Sequence, residues 1–408
     1  MRFCEQENKI NACKEGTTMK ILLTSDWYIP AVNGVVTSLL ALRRQLTRQG
    51  HEVRVLTLSG SLHGHISGGV YALGSVDAGM IYPGARLRAP EGDELLRELI
   101  AWGPDIVHSQ CEFSTFAPAR RIAKACGVPL VHTYHTVYED YTHYFSPSRR
   151  WGKALVRGFT RSIAARCDAM FAPTDKVRDL LLGYDVACPV FTLPTGIDVE
   201  RFRVDRREGL WLRDTLGIPQ DRPVLLFLGR LAKEKNLDAL LDVAAAVPGA
   251  TLLVAGDGPD GARFRAEAES RGLDVVFGGM VDPKDVPVWY AAADIFLSAS
   301  TSETQGLTYL EALAAGLPVI CRADPCLKGV VRGGVNGFQC ADAAEMSART
   351  AALLADPEEL AAMSRRAKVS AQAFSEENFA RRAAALYREQ ILLHGAAPAL
   401  ERRAVWTA

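Results

Sequence analysis

The chain has 408 residues, 48% hydrophobic and 23% charged, with 47 Lys and Arg balancing 47 Asp and Glu. Zero net charge removes the global field expected of a nucleic-acid binder, and no stretch approaches the roughly 18 apolar residues of a membrane span. The length allows two domains at roughly 100–200 residues each, and nine scattered cysteines without a C-x-x-C pair suit reduced thiols in cytoplasm.

Residues 1–18 lack the apolar stretch of a secretory signal. They read as a leader, either a disordered tail or the product of an upstream start, with Met19 as the true beginning. Lys20–Asp26 (K-I-L-L-T-S-D) is a short apolar run ending in small polar residues, the pattern of a buried parallel strand. An amphipathic helix follows up to Gln49, Gly50 stops it, and His51–Thr57 is the next strand. Strand, helix and strand form a βαβ unit of the doubly wound kind, whose ligands bind beyond the strands' carboxyl ends. That places a ligand site from Asp26 through Tyr28 to Gly34, with Gly34 where a phosphate or sugar can approach the backbone.

Ile106–Ser109, Pro129–Thr133 and Ala169–Ala172 are further strands. The stretch 132–145 (H-T-Y-H-T-V-Y-E-D-Y-T-H-Y-F) follows one of them and packs three histidines and four tyrosines into fourteen residues. Its spacing matches no standard zinc pattern. It reads as an acceptor-contacting rim that includes Tyr134 and Tyr138, or as aromatic packing. Ser148–Arg166 then forms a basic amphipathic helix. Trp151, Leu155, Phe159 and Ile163 recur at helical spacing among Arg149, Arg150, Lys153, Arg157 and Arg161. Such a helix lies on an anionic membrane surface; the other reading is a core-facing helix with a solvated Arg face.

Val190–Leu193 closes the first half, and 203–209 reads as a polar linker. A second alternating series has strands at Pro223–Leu228, Ala250–Ala255, Val275–Gly278, Ile295–Ser298 and Pro318–Cys321. Glu377–His394 is a last amphipathic helix with no strand after it, placed to brace the first half. The resulting division is 19–202, 203–376, a returning helix 377–395 and a tail 396–408.

The chemistry concentrates in the second half. G-R-L-A-K-E-K-N (229–236) sets Arg230 and Lys235 beyond a strand's carboxyl end, where two cations can neutralise a diphosphate. V-A-G-D-G-P-D-G (254–261) contains G-x-G-x-x-G, but no acid follows about 20 residues on, so a dinucleotide fingerprint is rejected. Gly256 and Gly258 instead line a nucleotide-base pocket. In S-E-T-Q-G-L-T-Y-L-E-A-L-A-A-G-L-P (302–318), Glu303 sits in a strand-to-helix loop. Gly306 and Leu307 offer backbone N–H groups at the helix start, and Glu311 lies inside the helix. An ordinary capped helix with two incidental glutamates is the plainer reading. There is no D-x-D for a metal-bridged diphosphate, so no metal and no tightly bound cofactor is expected.

Together, the Asn33-Gly34 loop, R-L-A-K-E-K-N, G-D-G-P and the E-x7-E pair Glu303/Glu311 resemble the retaining glycosyltransferases of family 4. These have the α/β GT-B fold, two doubly wound Rossmann-like domains facing across a cleft. The resemblance implies a nucleotide-sugar donor whose diphosphate is held by Arg230, Lys235 and the Gly306-Leu307 amides. It gives the ribose to Glu311, the hexose to Glu303, and an active-site role to His135 in the acceptor half, where Asp26 and Tyr28 also fall. Within the family, 132–144 and 302–312 are similar to bacterial glucosyltransferases that use UDP-glucose and a diacylglycerol acceptor. That likeness implies a lipid acceptor and a cytoplasmic enzyme, peripheral on the inner face of the cell membrane. A soluble family member acting on a sugar acceptor, and a nucleotide-sugar-binding protein without turnover, are the alternatives.

Overall fold

The computed structural model describes residues 17–31, 33–80, 85–90, 93–139 and 148–405, with side chains up to 396 apart from that of residue 149. Most of the expected leader, residues 140–147 of the His- and Tyr-rich stretch, and the last three residues of the tail lie outside the described residues. The chain divides into two compact units. One combines the chain up to Gly196 with the segment from Glu376, and the other is Ile197–Ser375. Ile197, Val199 and Phe202 are buried in the core of the second unit, and Ile197 bridges to Ser375, so the division precedes the expected 202/203.

The first unit is built on strands β1 (Lys20–Thr24), β2 (Glu52–Leu58), β3 (His65–Ser67), β4 (Val70–Leu73), β5 (Ser75–Asp77), β6 (Arg86–Arg88), β7 (Ile106–Ser109), β8 (Leu130–Thr133), β9 (Ala169–Ala172) and β10 (Val190–Thr192). Eight of them form one sheet in the order β10-β9-β8-β7-β1-β2-β4-β3, parallel except for β3, while β5 and β6 pair separately. Strands β3, β5 and β6 are three residues long and largely polar, and β4 is a four-residue apolar run between glycines, too short for the sequence reading to pick out. Both sheet faces are covered, as a parallel sheet requires. Leu23, Val55, Ile106 and Val131 face the helix Gly34–Arg48 and the C-terminal helix Glu376–Val405. Their neighbours in sequence, Leu22, Leu56, Val107 and Leu130, face the helices Glu94–Trp102 and Phe116–Cys126.

The helix Glu376–Val405 is longer than the expected 377–394 and is tied into the first unit from Glu376 to His394. Glu376 accepts from Arg44 and Gln45, Ala380, Ala383 and Tyr387 are fully buried, and His394 Nδ1 lies 2.8 Å from Asp168 Oδ1.

The second unit carries β11 (Val224–Leu228), β12 (Thr251–Ala255), β13 (Val275–Gly279), β14 (Ile295–Ser298), β15 (Val319–Arg322) and β16 (Gly337–Cys340) in one parallel sheet, ordered β13-β12-β11-β14-β15-β16. The expected linker 203–209 is instead largely the first turn of a helix, Arg206–Thr215, capped by Asp205 through the Arg207 N–H. The cause is Arg213, 2% exposed, which reaches Asp294 at 2.7 Å and the carbonyls of Ala292, Gln220 and Arg222. A buried guanidinium with every branch satisfied pins the segment to the unit.

In each sheet the strand order reverses once beside the first strand: between β1 and β7 in the first unit, and between β11 and β14 in the second. Connections leave such a point in opposite directions and open a crevice at the strands' carboxyl ends, where doubly wound folds bind ligands.

Candidate active site

At the β11/β14 reversal, the loop after β11 carries Arg230 and Lys235 and the loop after β14 carries Glu303. Lys235 donates to Glu303 Oε1 at 2.5 Å, with both side chains largely buried. Arg230 is exposed. Gly306 takes φ +74° and ends the loop at the helix Leu307–Ala315, whose first turn has no side-chain cap. Uncapped helix starts of this kind can seat an anion. A Cβ at Gly306 would come within 2.6 Å of the Tyr309 ring, and Tyr309 in turn donates its hydroxyl to Ser298 Oγ at 2.7 Å, so the turn is locked onto β14.

Glu311, one helical face along, accepts from the Tyr290 hydroxyl at 2.9 Å. Burial pushes its carboxyl above the ordinary range, against the Tyr290 hydrogen bond and the field of Arg201. Tyr290 is fully buried and was not singled out from sequence; it sits in a plain apolar helix, P-V-W-Y-A, which gives no local signal. Gly256 and Gly258 have a packing role of their own. A Cβ on either would lie 2.0 Å from the Gly229 carbonyl or 2.3 Å from that of Leu231, so they let the loop after β12 close on the Arg230 loop.

At the β1/β7 reversal of the first unit, Asp26 accepts from the Ser114 and Thr115 amides and the Thr115 hydroxyl at 2.6–2.8 Å. Its oxygens hold the turn that opens the helix Phe116–Cys126, a structural use that the sequence reading did not anticipate. Beside it, Glu112 receives the Tyr138 hydroxyl at 2.8 Å and faces His132 Nε2 at 3.2 Å. Burial pushes the Glu112 carboxyl up, but the hydrogen bonds of His132 and Tyr138 outweigh it and hold it below the ordinary range. His135 Nε2 lies 2.6 Å from Gln110 Oε1, and burial lowers its pKa to about 4.

Tyr134 corrects the expected rim: at 1% exposure it packs edge-on against Tyr138 and joins the core with Val156 and Met170, so no acceptor reaches it. Tyr28 receives a hydrogen bond from Arg43 at 2.6 Å. Gly34 is the first residue of its helix, behind an Asn33 cap that accepts from the Val36 N–H at 3.0 Å.

The basic helix, Arg149–Ala164, carries two apolar faces rather than one. Val156, Ile163 and Ala164 are buried with Tyr134 or β8, whereas Trp151, Leu155 and Phe159 are 73%, 62% and 39% exposed. Phe113, itself 54% exposed, stacks on Phe159 with ring centroids 5.9 Å apart and extends the patch. Lys153 pairs with Glu139 and Arg157 with Asp185, while Arg150 and Arg161 are exposed. Among the described residues no cluster of three or more His, Cys, Asp or Glu is placed to hold a metal ion, and no helix is long and apolar enough to cross a membrane.

Among solved structures, sucrose-phosphate synthase of Thermosynechococcus elongatus superposes with a TM-score of 0.70 at 21% identity, covering 92% of this chain and all of that one. Anabaena HepE in complex with UDP and glucose gives 0.69 at 19% identity, covering 90% and 98%. Two doubly wound units with these neighbours define the GT-B fold. The family profile described as Glycosyltransferase Family 4 matches residues 32–201, and that described as Glycosyl transferases group 1 matches 212–370. Alpha-monoglucosyldiacylglycerol synthase of Streptococcus pneumoniae is 36% identical over 78% of this chain and 74% of its own length. The protein of the same name from Acholeplasma laidlawii is 31% identical over 91% and 98%. The chain belongs to glycosyltransferase family 4, and it is a hexosyltransferase.

Proposed function

We propose that the chain moves glucose from UDP-glucose to diacylglycerol at an anionic membrane surface, with retention at the anomeric carbon. The observation that carries the lipid acceptor is the solvent-exposed Trp151–Leu155–Phe159 stripe, flanked by Arg150 and Arg161. A soluble enzyme with a sugar acceptor has no use for three large apolar side chains in water beside a cationic flank. The names of the two synthases support the same donor and acceptor.

In this reading the second unit holds the donor. Arg230 and Lys235 neutralise the diphosphate, the Gly306-Leu307 amides seat one phosphate, Glu311 takes the ribose hydroxyls and Glu303 the hexose. The first unit, through His135, Tyr138 and Tyr28, serves the acceptor. The bond from C1 to the diphosphate oxygen breaks as the bond from C1 to the acceptor oxygen forms on the same face, and the departing phosphate oxygen takes the acceptor's proton. The protein's share is positioning and stabilisation of the charge that develops on the leaving diphosphate.

The test is transfer of labelled glucose from UDP-glucose into diacylglycerol in mixed micelles, with and without anionic lipid. Label in the lipid phase, increased by anionic lipid, is the expected result. Label that reaches only water-soluble products overturns the acceptor.

A further inference from the structure

Gln110 stands one residue beyond β7 at the reversal point of the first unit, 1% exposed, with its backbone N–H fixed on the Thr24 carbonyl at 2.8 Å. Its side-chain amide is the middle link of a buried polar chain. Gln110 Oε1 meets His135 Nε2 at 2.6 Å, and Gln110 Nε2 lies 3.0 Å and 3.2 Å from the two ring nitrogens of His108. Those nitrogens are also engaged by hydroxyls, Nδ1 by Tyr387 at 2.6 Å and Nε2 by Thr133 at 2.7 Å. Tyr387 belongs to the C-terminal helix, so the chain runs from that helix through β7 to His135.

An amide has one accepting end and one donating end, and a neutral imidazole likewise has one nitrogen of each kind. With the NH2 group of Gln110 turned to His108, its oxygen is the atom offered to His135, and a carbonyl oxygen can only accept. We propose that Gln110 is a positioning residue that holds His135 as the neutral imidazole protonated at Nε2, leaving Nδ1 as its basic nitrogen. Burial, with His132 beside it, keeps His135 neutral at pH 7 in spite of the Glu112 carboxylate, which acts the other way. His108 is neutral for the same reason, and the function of this polar chain is to choose the tautomer. This rests on the reading of His135 as the acceptor-side histidine, because a tautomer matters for transfer only if that ring meets the substrate.

Two readouts separate the proposal from that reading. The first is the 15N spectrum of the full chain labelled at histidine, with the His135 signals assigned by their loss in His135→Gln. The wild type should show the Nε2–H form, and Gln110→Leu should give a mixture of tautomers. Gln110→Glu keeps an acceptor at the same place, so it should keep the Nε2–H form and raise the His135 pKa. The second readout is transfer activity. Gln110→Leu should lose about tenfold in kcat, the scale of one lost buried hydrogen bond, with the KM for UDP-glucose within about twofold, and Gln110→Glu should recover activity with its pH profile moved upward. An Nδ1–H form in the wild type, or a Gln110→Leu chain with unchanged tautomer and kcat, overturns the proposal. A tautomer shift without any change in transfer leaves the positioning in place and removes His135 from the reaction.

Discussion

Lys235 and Glu303 form an ion pair that joins the loop after β11 to the loop after β14, across the point where the strand order of the second unit reverses. Without donor, each neutralises the other. In the proposed reading a diphosphate beside Arg230 would give Lys235 a second anion, so that the pair would hold a cation where leaving-group charge develops. Lys235→Ala and Arg230→Ala should each lower kcat by about 10²–10³, the effect of removing one preorganised donor. Initial rates of UDP release measure this, and near-normal turnover in both variants excludes the assignment.

The Tyr290–Glu311 pair makes a prediction about pH and stability. Burial raises the Glu311 carboxyl, so the folded state keeps a proton that the unfolded state gives up. Stability is therefore lost as pH rises from the unfolded value, about 4.3, through the folded one. Glu311→Gln removes that loss: its melting temperature should match the wild type near pH 4 and equal or exceed it at pH 7. Donor binding should weaken by about tenfold, as for one or two lost hydrogen bonds. Calorimetry at both pH values, with titration of UDP, checks both halves.

Buried histidines produce the opposite slope. His108, fully buried with His132 and His135 nearby, and His135, facing Glu112 and His132, both have pKa values lowered chiefly by burial. The folded state then binds fewer protons than the unfolded chain, and stability is lost as pH falls below the unfolded value of about 6.5. Each such group costs up to about 1.4 kcal/mol per pH unit in that window; for His135 the window closes near pH 4. Urea unfolding at pH 7, 6 and 5 should show the decline, and His135→Gln should be measurably flatter. Equal slopes would mean that His135 is solvated.

Because Trp151 and Leu155 are exposed, replacing both with Ala should barely move the melting temperature, surface changes being close to neutral. Sedimentation with anionic vesicles should nevertheless fall steeply. Replacing Arg150 and Arg161 with Ala should cost about 1 kcal/mol each at an anionic surface, or about thirtyfold for the pair, and the loss should shrink in high salt. Unchanged sedimentation of both variants would take this helix off the membrane.

Gly306→Ala should be harmful twice over. Its φ of +74° and the Tyr309 ring 2.6 Å from the new Cβ place a strained residue at the helix start. A loss of about 1–2 kcal/mol in stability should accompany a rise in the KM for UDP-glucose, read from thermal melts and initial rates on one preparation.

The parallel strands, the stop at Gly316 and the lone Glu303, Gly306 and Glu311 could all be read along the chain, because strand length, helix punctuation and loop position are local properties. What could not be read was pairing. Tyr290 meets Glu311 from another helix, and Gln110 meets His135 from another strand, so neither contact leaves a mark in the spacing of nearby residues. Tyr134 shows the reverse failure: an aromatic in a polar stretch reads as a rim residue, but the turn after β8 points it into the core. The helix Arg149–Ala164 was legible as amphipathic, yet it holds two apolar stripes, and only the neighbouring β8 and β9 decide which one is covered.

The C-terminal helix has a bearing on how the protein is made. Tyr387, Ala380 and Ala383 complete the core that Leu23, Leu39 and Val55 begin. The ribosome therefore finishes every strand of the first unit, and the whole of the second, while that core still lacks its closing wall. The second unit has all its own residues by Ser375 and can fold on the nascent chain, whereas the first must wait for the helix that begins at Glu376. A stop codon ahead of Glu376 would thus spare the second unit and release a protein whose first unit has never closed.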